Sequence, residues 1–207
     1  TDEWFQARCG LLTASDASDI HTTGRGGGVA VGRVKLRVTL ALERIRGMPR
    51  RAGFQSAAMA YGTETEAAAV AAYEAQTGQM IQACGFVSDG PIGCSPDGIV
   101  LVEGQIVSGL EVKAPEPSTH LGYLRDPSTL VAAYSAQVRH TLLVTGAPFW
   151  DLASYAPEFP EGSRLVICRL VRAGTLDGVI PTQGARMTVG VDVEQHKAAV
   201  AVFLAEV

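Results

Sequence analysis

The sequence predicts a mixed α/β domain with a central sheet flanked by helices. Two observations predict it. Helical and strand patterns come in blocks, with helices first, then several adjacent strands, a long helix and strands again, which is the order of a layered α/β architecture. The composition, 47% apolar and 18% charged over 207 residues, fits a single domain spanning 1–207. A chain of this size buries roughly 70% of its unfolded surface. Disorder, collagen and coiled coil are excluded by the same composition.

The elements follow in order. Trp4–Arg8 reads as a short amphipathic helix. Thr13-Ala14-Ser15-Asp16 reads as a capping box that opens a helix to about Ile20. Thr22–Gly32 carries Gly24, Gly26, Gly27, Gly28 and Gly32 and reads as a mobile loop. No Gly-Lys-Ser/Thr follows it, so it is not a P-loop. Arg33–Arg46 spaces Val34, Val38, Ala41, Leu42 and Ile45 as an apolar helical stripe ending at Gly47, leaving its basic residues mainly outside the stripe. Thr63–Gln76 is an alanine-rich helix closed by Thr77-Gly78. Met80–Val87 reads as a strand, and Ile99–Val102 and Ile106–Lys113 as two more around Glu103-Gly104-Gln105. Pro117–Tyr123 and Leu130–Val144 read as helices. Phe149–Tyr155 and Leu165–Val171 read as paired strands, and Val191–Glu206 as a terminal helix.

Composition also narrows the chemistry. Cys9, Cys84, Cys94 and Cys168 are scattered with no Cys-x-x-Cys, which argues against a zinc ribbon, thioredoxin-like redox chemistry or an iron–sulfur cluster and fits free thiols in a reducing cytosol. The longest apolar run, Ala198–Ala205, has eight residues, against the ~18 a membrane span needs. The acidic start Thr1-Asp2-Glu3-Trp4 lacks a signal-peptide pattern. A cytoplasmic location is expected. The net charge of −4 conceals an asymmetry: Arg25, Arg33, Lys35, Arg37, Arg44, Arg46, Arg50 and Arg51 are opposed within their segment only by Glu43. A cationic stripe on an acidic body suggests a polyanion partner; the alternative is a solvated helix face with counter-charges packed nearby.

The sharpest chemical feature is Ser95-Pro96-Asp97-Gly98 followed by Glu111-Val112-Lys113. Alternation along a strand puts Glu111 and Lys113 on one face and Val112 on the other. A hairpin centred on Gly104 sets Asp97 opposite Glu111, side chains ~5 Å apart. Two carboxylates there repel by roughly 3 kcal/mol at an effective dielectric of about 20. A divalent cation between them removes that penalty, and all-oxygen ligation points to Mg²⁺ or Mn²⁺. Lys113 is then placed to orient or deprotonate a water and to stabilise charge on a phosphate. Taken singly, Ser-Pro-Asp-Gly is an ordinary β-turn sequence, and Glu-x-Lys is common on exposed strands. His120 and His140 have no partner at a telling spacing, His21 is a possible DNA contact, and His196 is expected to be exposed.

Pro96-Asp97 with Glu111-x-Lys113 resembles the PD-(D/E)xK nuclease signature. The surrounding chain resembles the phage-lambda-type exonuclease family, the YqaJ-like viral recombinases. The resemblance is carried by Trp4-Phe5, Arg8, Gly10 and Thr13–Asp16; by Gly62-Thr63, Glu66, Ala69, Tyr73 and Thr77-Gly78; by Gly93 and Ser95–Gly98; by Leu110–Lys113; and by Tyr134, Gln137 and Val144–Gly146. It implies a restriction-endonuclease-like core and a Mg²⁺-dependent 5′→3′ exonuclease on double-stranded DNA ends. The product would be a 3′ overhang for a single-strand-annealing protein. It further implies a ring-shaped homotrimer and a phage or prophage protein in a bacterial cytosol. Asp97, Glu111 and the Val112 carbonyl would hold metal, with Glu66 completing a second site or binding a metal water. Lys113 would position the nucleophilic water and Gln137 would orient the site. Arg8 and Ser15 would hold the 5′-terminal phosphate, and Arg25, Arg33, Lys35 and Arg37 are the candidate DNA contacts. The competing expectations are a structure-specific endonuclease or RecB-type single-strand nuclease of the same fold, or a non-catalytic DNA-binding module.

Overall fold

A computed structural model describes residues 1–49, 57–175 and 183–207, with the side chains of 57–64 excepted. The elements in chain order are α1 (Asp2–Ala7), β1 (Leu12–Thr13), α2 (Ala17–His21), α3 (Val31–Arg46), α4 (Ala57–Thr77), β2 (Val87–Asp89), β3 (Ile92–Cys94), β4 (Gly98–Val102), β5 (Gln105–Lys113), α5 (Pro117–Arg125), α6 (Pro127–Thr145), β6 (Phe149–Tyr155), β7 (Leu165–Arg172), β8 (Met187–Val191) and α7 (Val193–Leu204). The fold is α/β. Its main sheet has the order β4-β5-β6-β7-β8, and a small sheet has the order β1-β3-β2. The main sheet is mixed: β5–β6 and β7–β8 are parallel, β4–β5 and β6–β7 antiparallel. No described helix is long and apolar enough to cross a membrane.

The two faces of the main sheet are covered by different helices. On one, Tyr123, Leu130, Val138 and Leu142 of α5 and α6 pack on Trp150, Leu152, Val166, Cys168 and Leu170. On the other, Ala69 and Tyr73 of α4 pack on Leu110, Ala153, Tyr155, Leu165 and Ile167. A third cluster joins Leu12, Ile20, Leu36, Leu40, Ile92, Val144, Val200 and Phe203. It ties α2, α3, α7 and the small sheet to the end of α6.

The hairpin that carries the carboxylates is set by its turn. Glu103 and Gly104 both have positive φ, 51° and 79°, the signature of a two-residue type I′ turn whose twist matches the strands. Val102 pairs with Gln105 and Leu101 with Ile106. A bulge then leaves Val107 unpaired, and beyond it Gly98 faces Leu110. Asp97, just before β4, therefore lies beside Glu111, as the sequence suggests. Ser95–Asp97 is not a hairpin turn but the corner where the chain leaves β3 of the small sheet for β4 of the large one.

Several expectations are corrected. Thr13 does not cap a helix with its side chain; its hydroxyl donates to Asp16 Oδ2 at 2.7 Å, and residues 14–16 form a 3₁₀ turn before α2. The glycine segment is folded back on itself, with Gly24 N–H donating to Gly28 O at 2.7 Å and Thr23 bridging Val29. Met80–Val87 is not one strand: Gln82 makes a single bridge to Ile99, and the strand proper is Val87–Asp89. Strands β1, β3 and β8 were not expected, and the terminal helix starts at Val193 because Asp192 caps it, accepting from Gln195 N–H at 2.8 Å. The orientation of α3 is the largest correction. Leu36, Leu40 and Glu43 are its buried face, whereas Val34, Val38, Leu42 and Ile45 are exposed. The helix turns this way because Glu43 accepts from Gly10 N–H at 2.8 Å and Arg44 Nε donates to Gly10 O at 2.9 Å.

Candidate active site

Strand alternation puts Glu111 and Lys113 of β5 on the α6 side of the sheet, while Val112 packs into the α4 cluster. Gln137, in the middle of α6, reaches down between them. Lys113 Nζ donates to Glu111 Oε1 at 2.6 Å and to Gln137 Oε1 at 3.1 Å, and Gln137 Nε2 closes the triangle by donating to Glu111 Oε1. Tyr134, one turn earlier on α6, lays its ring 4.8 Å from the Lys113 ammonium, a cation–π contact. Asp97 Oδ2 accepts from the Val112 N–H at 2.6 Å. Both donors to Glu111 use Oε1, so Glu111 Oε2 and Asp97 Oδ1 have no protein donor among the described residues.

The electrostatics follow from that geometry. Burial, then the neighbouring Glu111 charge, pushes the Asp97 carboxyl well above the ordinary carboxylate range; its Val112 and Lys113 neighbours only partly offset this. Glu66 on α4 is also raised, by burial and then by the Glu111 charge. Burial, the largest single influence, would lower Lys113, but Glu111, Asp97 and Tyr134 together outweigh it and the net shift is upward. Lys113 is therefore held as an ammonium, a donor to water or phosphate rather than a base. The raised Asp97 and Glu66 carboxyls mark a site short of positive charge, although no group of three or more His, Cys, Asp or Glu among the described residues is arranged as a complete metal cage. Asp97, Glu111 and the Val112 carbonyl, with Glu66 at the edge, supply the hard oxygen donors that Mg²⁺ or Mn²⁺ prefers.

A second cluster adjoins the first. Arg8 Nη1 donates to Ser95 Oγ at 3.0 Å, and Nη2 lies 3.2 Å from Thr13 Oγ1 and 3.3 Å from Ser15 Oγ. The guanidinium is backed by the Trp4 ring at 4.3 Å. Arg8 and Ser15 stand out in the sequence; Ser95 and Thr13 carry no such signal of a role, although Ser95 stands inside the Ser-Pro-Asp-Gly motif. Ser95 and Asp97 are two residues apart, so the hydroxyl–guanidinium cluster and the carboxylate pair share one tripeptide.

The basic segment is less available than expected. Arg33 is committed: it donates to Ile20 O and to Glu206 Oε1, both at 2.7 Å, and lies over Phe203. Arg37 lies 3.7 Å from Glu206 Oε2. Arg25 and Lys35 are exposed. Arg50 and Arg51 lie outside the described residues. The histidines are hydrogen-bonded structural residues, and only His196 differs from expectation. His120 is buried and joins Ser154 Oγ and Ser163 O, both at 2.8 Å. His196, expected at the surface, is fully buried with His140.

A family model described as the YqaJ-like viral recombinase domain matches residues 3–148. The structure is similar to that of an alkaline exonuclease, LHK-Exo, from Laribacter hongkongensis, with 28% identity and a TM-score of 0.77 over 100% of this chain and 92% of that one. It is equally similar to LHK-Exo in complex with dAMP, at 27% identity and a TM-score of 0.78 over the same shares. A phage-related exonuclease from Haemophilus somnus 129PT shares the fold at 11% identity and a TM-score of 0.63, over 93% of this chain and 92% of that one. No curated protein matches the sequence.

Proposed function

Because the chain belongs to the YqaJ-like viral recombinase family, whose fold it shares with an alkaline exonuclease, we propose that this nuclease-family protein is a Mg²⁺-dependent exonuclease. It would degrade one strand of linear double-stranded DNA from the 5′ end and leave a 3′ overhang. The observation that supports this best is the tripeptide Ser95–Asp97. It joins a cluster suited to a terminal phosphate to a carboxylate pair suited to a metal.

The Arg8 guanidinium donates to the Ser95, Thr13 and Ser15 hydroxyls, and its charge and those hydroxyls together would receive an anion, with its fork exchanging hydroxyl oxygens for phosphate oxygens. Such a fork suits a doubly charged terminal phosphate better than an internal one. A strand end held there lays its next phosphodiester toward Asp97 and Glu111. Asp97, Glu111 and the Val112 carbonyl would hold Mg²⁺, with Glu66 on a second ion or a bound water. The fit is chemical: all donors are oxygens, and the raised Asp97 and Glu66 carboxyls mark a deficit of positive charge. When bound, the ion supplies Lewis-acid activation of water and phosphate. Lys113 keeps its ammonium beside Glu111 and stabilises charge on the phosphate being cleaved. Gln137 fixes both side chains and leaves Glu111 Oε2 for the ion.

A homotrimeric ring and a single-strand-annealing protein partner belong to the same proposal. The exposed apolar row Val31, Val34, Val38, Leu42 and Ile45 along α3, with Met48 just beyond it, supports burial of this face in an assembly. The test uses linear duplex labelled at either end, with 5′-phosphate or 5′-hydroxyl termini, in Mg²⁺ or EDTA. Release of label from the 5′ end only, faster from phosphorylated ends and abolished by EDTA, is the expected result. Cleavage of nicked circles or of single strands alone would favour the endonuclease or RecB-type alternative.

A further inference from the structure

The ammonium of Lys113 has three supports. Two are hydrogen bonds, to Glu111 Oε1 on its own strand and to Gln137 Oε1 on α6. The third is the Tyr134 ring, which lies under the ammonium with its centroid 4.8 Å from Nζ. Gln137 and Tyr134 are three positions apart on α6, so their side chains are neighbours on one side of the helix. Lys113 is thus held between one strand and one helix.

Tyr134 stands in a row of core residues. Leu130 and Val138, four positions to either side, have no exposed surface and belong to the cluster under the main sheet. Tyr134 packs against the same cluster but is only half-buried, and its hydroxyl lies beside the phenol of Tyr123 on α5. A leucine would serve such a position in an ordinary core. Beside an ammonium, a leucine removes water from the charge and replaces it with nothing. An aromatic ring instead turns a negative face to the cation. The ring therefore joins the core to the charge of Lys113, which neither Leu130 nor Val138 touches by such a contact.

That contact bears on the chemistry. An ammonium has three hydrogens on a flexible four-carbon stem. Glu111 and Gln137 take two of them, and the third has no protein acceptor among the described residues. The Lys113 side chain keeps 20% exposure, so the head group is not sealed from a ligand. A cation held by Glu111 would share the carboxylate charge that now draws Lys113, leaving the two contacts from α6 to fix the ammonium. We propose that Tyr134 is a positioning residue for cleavage, whose ring holds the Lys113 ammonium so that its third N–H is directed at the phosphate. The proposal rests on the nuclease reading and on the role of Lys113 stated above. It gives Tyr134 no contact with DNA or metal.

The experiment is a double-mutant cycle read by single-turnover cleavage of linear duplex in saturating Mg²⁺, with duplex affinity measured alongside in Ca²⁺. Tyr134→Leu should lower the cleavage rate by roughly five- to thirtyfold, the range of a desolvated cation–π contact, with little change in affinity. In a Lys113→Ala background the same change should cost almost nothing more, because the cation it acts through is gone. Tyr134→Phe keeps the ring and should recover most of the rate. Phenylalanine analogues of increasing ring fluorination at position 134 keep the packing but drain the negative face, so the logarithm of the rate should fall stepwise along the series. Where Tyr134→Leu fails to fold, this series decides alone. An equal loss in both backgrounds, or a rate that is flat along the fluorine series, overturns the positioning role and leaves the nuclease standing. A loss of tenfold or less in Lys113→Ala alone removes the role of Lys113, and that of Tyr134 with it. Absence of cleavage by the wild type in Mg²⁺ or Mn²⁺ removes the nuclease reading itself and this proposal with it.

Discussion

Asp97 and Glu111 face each other with two carboxylate oxygens that no described residue donates to, and their charges raise rather than lower the Asp97 proton affinity. The proposed Mg²⁺ would relieve that repulsion. Asp97→Asn and Glu111→Gln should therefore abolish cleavage while duplex binding, measured by gel shift in Ca²⁺ or EDTA, stays within a few-fold of wild type. Near-normal turnover of either variant in saturating Mg²⁺ would refute the ligand assignment. Lys113→Ala acts differently because an ammonium cannot bind Mg²⁺. It should lower turnover by roughly a hundredfold or more with a smaller change in the Mg²⁺ concentration that gives half-maximal rate. A tenfold or smaller loss would reduce Lys113 to an ion-pair partner of Glu111. Arg8→Ala should erase most of the preference for 5′-phosphorylated ends, read as the rate ratio of the two substrates at one salt concentration. A preference that survives the change would transfer the phosphate to other residues.

The β4–β5 hairpin was legible in the sequence because its signals are local: Glu103-Gly104 at the turn and a strand whose apolar Ile106, Val107, Leu110 and Val112 frame the reactive pair. The short strands were not, since Leu12–Thr13 and Ile92–Cys94 have two and three residues, too few to show a period. The face of α3 was misread for another reason. Its most regular apolar row is exposed, and burial was decided by Gly10 bonding to Glu43 and Arg44, residues more than thirty positions away. The chemical site was legible by motif, but Ser95 joined Arg8 only through the corner between two sheets. That corner depends on close approach at the hairpin. A Cβ on Gly109 would lie 2.2 Å from the Trp150 ring and 2.5 Å from the Gly98 carbonyl. Gly109→Ala should cost about 1–3 kcal/mol or more, seen as a lower midpoint in urea, and should lower activity by displacing Asp97 against Glu111. An unchanged midpoint would show that the strands separate without penalty. On the opposite face, Asp151 pairs with Arg169 Nε and Nη2, both at 2.8 Å, and accepts from Tyr73 OH at 2.6 Å. This ties α4, and with it Glu66, to β6 and β7. Asp151→Asn removes the carboxylate charge that faces the buried Arg169 and should destabilise the fold by up to about 3–5 kcal/mol.

The charge asymmetry of the molecule divides into two populations. Arg33 and Arg37 lean on Glu206 at the end of the chain, and Arg33 also caps the Ile20 carbonyl and covers Phe203. These cations hold α3 against α2 and the segment following α7. Arg25, on the folded glycine segment, and Lys35, on the outer side of α3, are exposed. A basic stripe read from sequence does not separate the two, because the separation depends on where Glu206 comes to rest. It predicts different outcomes for charges of the same sign. Duplex binding should weaken steeply with salt as counterions are released from the phosphates. Replacing Arg25 and Lys35 together by alanine should flatten the slope of log affinity against log salt by up to ~1.8, at ~0.9 for each phosphate no longer neutralised, with little change in melting temperature. Arg33→Ala should do the reverse, lowering the melting temperature because a half-buried guanidinium and the bonds it makes are removed, while leaving the slope near the wild-type value. Fluorescence anisotropy across a salt series and a thermal melt on the same samples read both quantities. A slope that flattens with Arg33→Ala, and not with the Arg25 and Lys35 pair, would place the DNA across the α3–α7 junction instead of along the glycine segment.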